Sequence, residues 1–325
     1  MSGLIRRTIQ DNPPLALTGI LMLLSPDILV PALWLDPRML NGELLWIKPI
    51  KFAVSIALYA LTLQLILRHI EGGARTQKFV RMGSWAIAFF FLVEVIAIFG
   101  QAARGKVSHF NSSTAFDGIV FNIMGTAIML LFIVHIGLTI LLLRQTNTTP
   151  DLASALRAGL AVTALGMLVA YLMVIPRPEQ MALLEQGMMP ERMGSHTIGA
   201  PDGGPGIPVT GWSSVAGDLR IAHFIGLHAL QVIPLFAFWL TRRSTKLVTQ
   251  QRRNLVRVFA FAYAGIVVLF TVQALRGQSV LAPDVWTLVS FVGLAVLTAG
   301  GVLAAIMATG RHSPSSQLSG NLQVP

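Results

Sequence analysis

Eight apolar stretches constrain this sequence more than any other feature. A transmembrane helix needs about 20 mostly apolar residues, because each residue advances the helix by about 1.5 Å and the bilayer core is about 30 Å thick. The chain is 54% hydrophobic and only 12% charged. We therefore expect an all-α, polytopic helical membrane protein with about eight transmembrane helices, in contact with membrane lipids. The stretches cover approximately 14–34, 48–67, 82–103, 118–143, 157–176, 220–241, 255–275 and 285–309.

The first stretch is interrupted by the segment "LLSPDILVP". Proline cannot donate a backbone hydrogen bond, and Pro26 and Pro31 both lie inside the stretch. The sequence predicts a short helix, a break and an interfacial segment that carries Trp34 and Leu35. If the break turns inward, Asp27 joins the interior polar residues.

The positive charge of the chain indicates orientation rather than nucleic-acid binding. A net charge of +10 would suggest nucleic acid in a soluble protein, but basic residues of a membrane protein mainly set its topology. With the N-terminus inside, the cytoplasmic connections hold fifteen of the 24 basic residues and three acids, so their balance is 15 − 3 = +12. The opposite side has nine of each. This predicts an integral protein of the plasma (inner) membrane with both termini cytoplasmic and no nucleic-acid partner.

A short motif occurs twice at the ends of apolar stretches. Gln-Ala-x-Arg-Gly occupies 101–105 and again 273–277, and the offset between the arginines is 276 − 104 = 172. The same offset aligns Lys48 with Arg220. The pattern predicts two parallel four-helix repeats, although chance similarity between apolar helices is the alternative. The predicted parts are a first unit (1–150), a second unit (151–310) with a long outer loop (177–217), and a disordered cytoplasmic tail (311–325).

Basic and polar residues gather at the predicted outer ends, where positive charge does not serve orientation. Two structural explanations compete with ligand binding: long basic side chains reach the headgroups from helix ends, and arginines brace helix ends by pairing with Asp117, Asp218 or Asp284. As a set, these residues predict an outer-facing cationic pocket for an anionic or lipid-linked substrate. The predicted substrate-binding residues are Lys48, Lys51, Gln101, Arg104, His109, Asn111, Asp117, Asp218, Arg220, Gln273 and Arg276.

Three ionisable residues inside the apolar stretches are candidates for general acid or base. Glu94 and His228 each lie about 12–13 Å below the outer end of their helices, so they could face each other. His223 lies nearer that end. An ionisable residue at such depth is costly and marks a functional site, although a protonated Glu94 bonded to a neighbouring helix is the structural alternative.

A metal or haem site is the weaker alternative. His223 and His228 are five residues apart, which does not place them on one helix face as a metal-binding pair. A mononuclear site of His109, His223 and an aspartate is conceivable, but no pair of histidines has the spacing for haem ligation. The chain contains no cysteine, which excludes disulfides and thiolate ligands. No metal ligand is therefore assigned, and any cofactor is unknown.

Two hypotheses about function follow from the loop 177–217 and from the concentration of polar residues near the outer ends of the spans. Within the loop, "EQMALLEQGMM" predicts a short amphipathic surface helix, and the loop is either a lid over the site or a disordered insertion. Ionisable residues concentrate in the outer halves of the spans, whereas a transporter binds near the midplane. We therefore expect a binding site, and a catalytic one if Glu94 or His223 exchanges protons. The alternative is a transporter or ligand-sensing protein for a small anion.

Overall fold

The structure is a computed structural model that describes residues 9–144, 148–244 and 246–308. Within these residues the order of elements is α1 (Pro13–Leu24), α2 (Pro26–Leu35), β1 (Met39–Leu40), β2 (Glu43–Leu44), α3 (Ile47–Leu67), α4 (Ala74–Ala103), α5 (Ala115–Arg144), α6 (Pro150–Met173), α7 (Pro178–Glu185), β3 (Thr197–Ile198), β4 (Gly217–Asp218), α8 (Leu219–Arg243), α9 (Thr249–Leu275) and α10 (Val285–Met307).

The all-α prediction is confirmed, and eight candidate spans are present in the described part of the chain. The first span comprises α1 and α2, and every later span is one helix. Helices α4, α5, α6 and α9 begin earlier than predicted, because a helix continues into polar sequence beyond its apolar centre. The tail 311–325 lies outside the described residues.

The helical path of the first span continues through Ser25. Ser25 has helical dihedrals (φ −61°, ψ −31°), and its amide donates to the Leu21 carbonyl at 3.0 Å. Pro26 then begins the second segment, which ends with Trp34 and Leu35 both 84% exposed. Asp27 is exposed, so the condition under which it would join the interior polar residues is not met.

The same kinds of helix pair form in each half of the chain. In the first half α1 packs on α3 and α4, α3 packs on α4, and α4 packs on α5. In the second half α6 packs on α8 and α9, α8 packs on α9, and α9 packs on α10. The halves meet where α5 contacts α6 and α3 contacts α8. Two buried apolar clusters fill these interfaces, and the outermost helix α10 buries only Thr287 and Ala305.

Four connections meet at one end of the bundle, which we call the cap end. The longest, residues 174–218, is here named the cap. It is folded rather than an unstructured insertion: it contains α7, and β3 pairs with β4 in the register Thr197 with Asp218. The predicted surface helix is present but shorter than expected. It ends at Glu185. The four connections are 36–46, 104–114, 174–218 and 276–284.

Candidate functional site at the cap end

The cap is fastened to the connection between α4 and α5. An isolated bridge pairs Asn111 with Arg192, the Ser112 amide donates to Glu191 O at 2.9 Å, and the Met193 amide donates to Phe110 O at 2.9 Å. These backbone bonds hold His109 and Phe110 under the cap. The connection therefore folds back towards the bundle instead of extending into water.

The cap is also fastened to its own two helices. The Ser195 amide donates to Met173 O at 2.8 Å, and the Leu219 amide donates to His196 O at 3.0 Å. Gly194 lies between these contacts with φ +101°, and a Cβ there would be 2.4 Å from Met173 O. Only glycine combines this positive φ with so close an approach, so the local sequence fixes where His196 enters the site.

His109 links two charged residues that lie on different helices. The Lys48 ammonium is 3.0 Å from His109 Nδ1, and His109 Nε2 is 3.4 Å from Glu94 Oε1. Because Lys48 can only donate, the neutral imidazole carries its hydrogen on Nε2, directed at Glu94. Burial lowers the pKa of His109 well below its usual value, and the neighbouring Lys48 charge lowers it further. The imidazole is therefore neutral at pH 7.

The cap contributes a second histidine, His196, with its own aspartate. His196 Nδ1 is 2.9 Å from Asp202 Oδ2, and the carboxylate also accepts from Ser195 Oγ and from the amides of His196 and Thr197. Burial raises the pKa of Asp202, but the bond to His196 and the backbone donors outweigh it and hold the pKa well below its usual range. Burial also lowers the pKa of His196, against the opposing effect of Asp202. The ring centroids of His196 and His109 are 6.4 Å apart.

His223 approaches this cluster from α8. Its Nδ1 donates to Gly166 O on α6 at 2.8 Å, and its imidazole lies within electrostatic range of His109 and His196. Three histidines, Lys48 and Glu94 thus gather at the cap end. We call these five residues, with Asp202, the polar cluster.

Lys51 and Arg220 border the polar cluster but are already paired with carboxylates. Lys51 Nζ lies 2.9 Å from Glu43 and 3.0 Å from Thr210 O, and Arg220 lies 2.7 Å from Asp218 and 2.6 Å from Gly211 O. The neighbouring carbonyls of residues 210 and 211 thereby tie the cap to both α3 and α8. Asp218 also accepts from Arg220 N as the N-cap of α8.

The two Gln-Ala-x-Arg-Gly motifs form the same helix ending. Gly105 and Gly277 have φ of +68° and +70°, and the amide two residues after each arginine donates to the motif's glutamine carbonyl. This is the glycine-terminated C-cap that satisfies the last helical carbonyls. In each case the arginine then reaches the aspartate near the start of the next helix.

The first motif has the more buried ion pair. Asp117 is fully buried and accepts from Arg104 Nη1 at 2.8 Å and from Gln101 Nε2 at 2.8 Å. In the second motif, Arg276 pairs with the partly exposed Asp284, while Gln273 Nε2 donates to Ser279 O at 3.0 Å. Both arginines therefore connect consecutive helices, in the bracing arrangement that competes with ligand binding.

Two other predicted site residues have different partners. The His228 ring packs on Phe224 with centroids 4.4 Å apart, and the histidine in contact with Glu94 is His109. His109 reaches Glu94 because the connection 104–114 returns beneath the cap. Asn111 is buried and shapes this connection, since it donates to Val107 O and accepts from Ser113.

A deeper polar pair lies below the polar cluster and is separate from it. Tyr59 Oη is 2.7 Å from His135 Nδ1, and His135 Nε2 is 3.1 Å from Leu160 O. Buried apolar side chains also pack around Tyr59, among them Phe91, one turn before Glu94.

Among the residues that the structure describes, no three His, Asp or Glu side chains gather closely enough to hold a metal ion. Comparison with known protein families, curated proteins and solved structures finds no match. The chemistry of the site must therefore be argued from its geometry alone.

Sequence reasoning missed the cap's contribution to this site. His196, Asp202, Glu43 and Thr210 were not among the predicted ligands, although His196 and Asp202 follow one another closely in a loop rich in glycine and proline. A loop has no periodicity from which to deduce that His196 and Asp202 meet. That short His-to-Asp spacing was the only signal present.

If Arg104 is a brace, Arg104→Gln will lower the stability of the folded protein by about 1 kcal/mol, a value reduced by the partial exposure of Arg104. Asp117 would keep its bonds to Gln101 and Thr114 but lose its counter-charge. Adding Asp117→Asn should restore part of the loss. Melting in detergent measures both changes, with Lys106→Gln as the exposed control. No recovery in the double variant would contradict the brace.

Proposed function

We propose that the chain is an integral membrane protein that binds an anionic group, a phosphate or a carboxylate, free or on a lipid, against Lys48 beneath the cap. One observation carries the proposal. Of the five basic residues predicted as ligands, four pair with a carboxylate and Lys48 does not. A partly buried ammonium without a carboxylate in direct contact is costly, and a ligand anion would offset that cost. The other four are Lys51, Arg104, Arg220 and Arg276.

The shape of the site favours binding or catalysis over passage through the bundle. A transporter must open its site to both faces, and buried apolar side chains such as Phe91 pack on the side of Glu94 away from the cap. If the site is catalytic, Glu94 and His223 remain candidates for acid or base, and His196, positioned by Asp202, joins them. His228 has no contact in this cluster that would give it such a role.

The proposal is tested by replacing Lys48 with methionine, which keeps the length of the side chain and removes its charge. We expect ethyl phosphate and acetate to bind the unmodified protein and to bind Lys48→Met about 10–100-fold more weakly, as for loss of a charge-assisted hydrogen bond. Calorimetry in detergent at low salt measures this. Lys106→Met, at an exposed position, should bind normally. Equal binding by Lys48→Met, or no binding to the unmodified protein, would refute the proposed function.

We further propose that the cap faces the outer side of the plasma (inner) membrane, with both termini cytoplasmic. The excess of basic residues in the connections at the opposite end supports this orientation. A reporter fused into the connection between α8 and α9 should therefore be active only in the cytoplasm. Activity on the outer side would invert the topology and the direction from which a ligand arrives.

We also propose that units 1–150 and 151–310 arose as parallel repeats. Support comes from the equivalent helix pairs in the two halves and from the shared helix ending at Gly105 and Gly277. A superposition of α1–α5 on α6–α10 that needs a shift of a full turn between these glycines would argue against duplication.

A further inference from the structure

Glu94 has one carboxylate oxygen to which no protein group donates a hydrogen bond. The residue is only 2% exposed, Oε1 faces His109, and Oε2 is buried without a hydrogen-bond partner. Buried polar atoms in native proteins are almost always bonded, so an unpartnered carboxylate oxygen in a binding site indicates a missing donor.

The neighbouring donors are already committed. A neutral imidazole carries one N–H. The N–H of His223 is directed at Gly166 O, and the N–H of His196 is directed at Asp202. The N–H of His109 is directed at Oε1 of Glu94. The Lys48 ammonium reaches His109 rather than Glu94. The protein therefore offers Oε2 no hydrogen, and a ligand can supply it.

The charges indicate what kind of donor fits. The Lys48 ammonium and the Glu94 carboxyl lie on opposite sides of one imidazole ring, that of His109. A ligand ammonium beside Glu94 would favour the ionised carboxylate, and an anionic group on the same ligand would lie beside the Lys48 ammonium, so that each ligand charge meets an opposite one.

We propose that the ligand of this site is a zwitterion, with its phosphate or carboxylate at Lys48 and its ammonium at Oε2 of Glu94. The inference rests on the proposed function. Because a whole imidazole separates Lys48 from Glu94, the two ligand charges are several bonds apart. Phosphoethanolamine, free or as a lipid headgroup, has this chemistry, whereas the charges of glycine are too close together.

Three phosphate monoesters of nearly equal size test the inference. Ethyl phosphate has no donor at its far end, 2-hydroxyethyl phosphate has a neutral donor, and phosphoethanolamine has a charged one. On the unmodified protein in detergent at pH 7, we expect phosphoethanolamine to bind about 10–100-fold more tightly than ethyl phosphate, with the hydroxyl compound between them. Glycine should bind more weakly than phosphoethanolamine.

Glu94→Gln should reduce the preference for phosphoethanolamine to less than about threefold while ethyl phosphate still binds, since the amide keeps the shape but not the charge. Binding of the three esters to the unmodified protein tests the zwitterion proposal even if this variant misfolds. Equal binding of all three esters would overturn the zwitterion and leave the proposed function standing. No binding of any ester or of acetate would overturn the proposed function itself.

A competition experiment with lipid nanodiscs identifies the source of the ligand. Nanodiscs containing phosphatidylethanolamine, but not those containing phosphatidylglycerol, should displace phosphoethanolamine if the site takes a lipid headgroup. Displacement by neither lipid identifies the free compound, which still supports the proposal. Equal displacement by both lipids would overturn the requirement for an ammonium group.

Discussion

Arg252→Met is expected to lower the free energy of unfolding by about 3 kcal/mol, the lower end of the range for breaking a buried ion pair. Arg252 Nε lies 3.0 Å from Asp151 Oδ2, and Asp151 is only 1% exposed. Thr241 Oγ1 donates to the same carboxylate oxygen at 3.2 Å. These residues belong to α9, α6 and α8, so the variant leaves an uncompensated charge where three helices meet. Denaturation in detergent micelles measures the loss.

The matched control is Arg276→Met, which removes an arginine from an exposed ion pair at the cap end. Its stability should change little, because water screens such a pair. The double variant Arg252→Met with Asp151→Leu should recover much of the loss, since an apolar pair of similar volume is often tolerated in place of a buried ion pair. Equal losses for Arg252→Met and Arg276→Met would mean that burial of Asp151 is not what makes the first pair important.

Gly166→Ala is expected to lower stability by about 3 kcal/mol, although alanine is the better helix former. At this position α6 and α8 touch backbone to backbone: an added Cβ would lie 2.6 Å from the carbonyl carbon of Gly226. Glycine at such crossings lets membrane helices approach closely. The backbone cannot move aside without separating the helices, so Gly226→Ala should behave in the same way. The carbonyl of Gly166 also accepts from His223, and both variants should therefore weaken ligand binding.

Two glycines in open space provide the control for this prediction. Gly125 on α5 and Gly293 on α10 have nothing within 4 Å of an added Cβ. Alanine there should leave stability unchanged or raise it by up to about 1 kcal/mol, the difference in helix propensity. In one detergent, the melting temperature should fall for Gly166→Ala and Gly226→Ala and should stay the same or rise for Gly125→Ala and Gly293→Ala. If the melting temperature changed in the same direction for all four variants, packing at the crossing of α6 and α8 would not be tight.

Much of the polar cluster could be anticipated from the sequence, but its connections could not. Lys48, Glu94, His109 and His223 stood out because polar residues are costly in or near apolar helices. Their partners came from elsewhere: His109 from the returning connection 104–114, and His196 from the cap. The histidine that contacts Glu94 could not be predicted, because rise along a helix gives depth but not direction around the bundle.

The amino-acid sequence by itself determined the class of fold, because runs of apolar residues can satisfy their backbone in a bilayer only as helices. It also contains the signals for some helix boundaries, such as the glycine that ends the helix at each Arg-Gly motif and Asp284, the N-cap at the start of α10. Only the tertiary structure decided which of the predicted cations pair with a carboxylate. Arg104, Arg220 and Lys51 find carboxylates at short range, whereas Lys48 meets an imidazole. Ion pairing depends on distances of a few ångströms between side chains of different elements, and a pattern along one chain does not contain those distances.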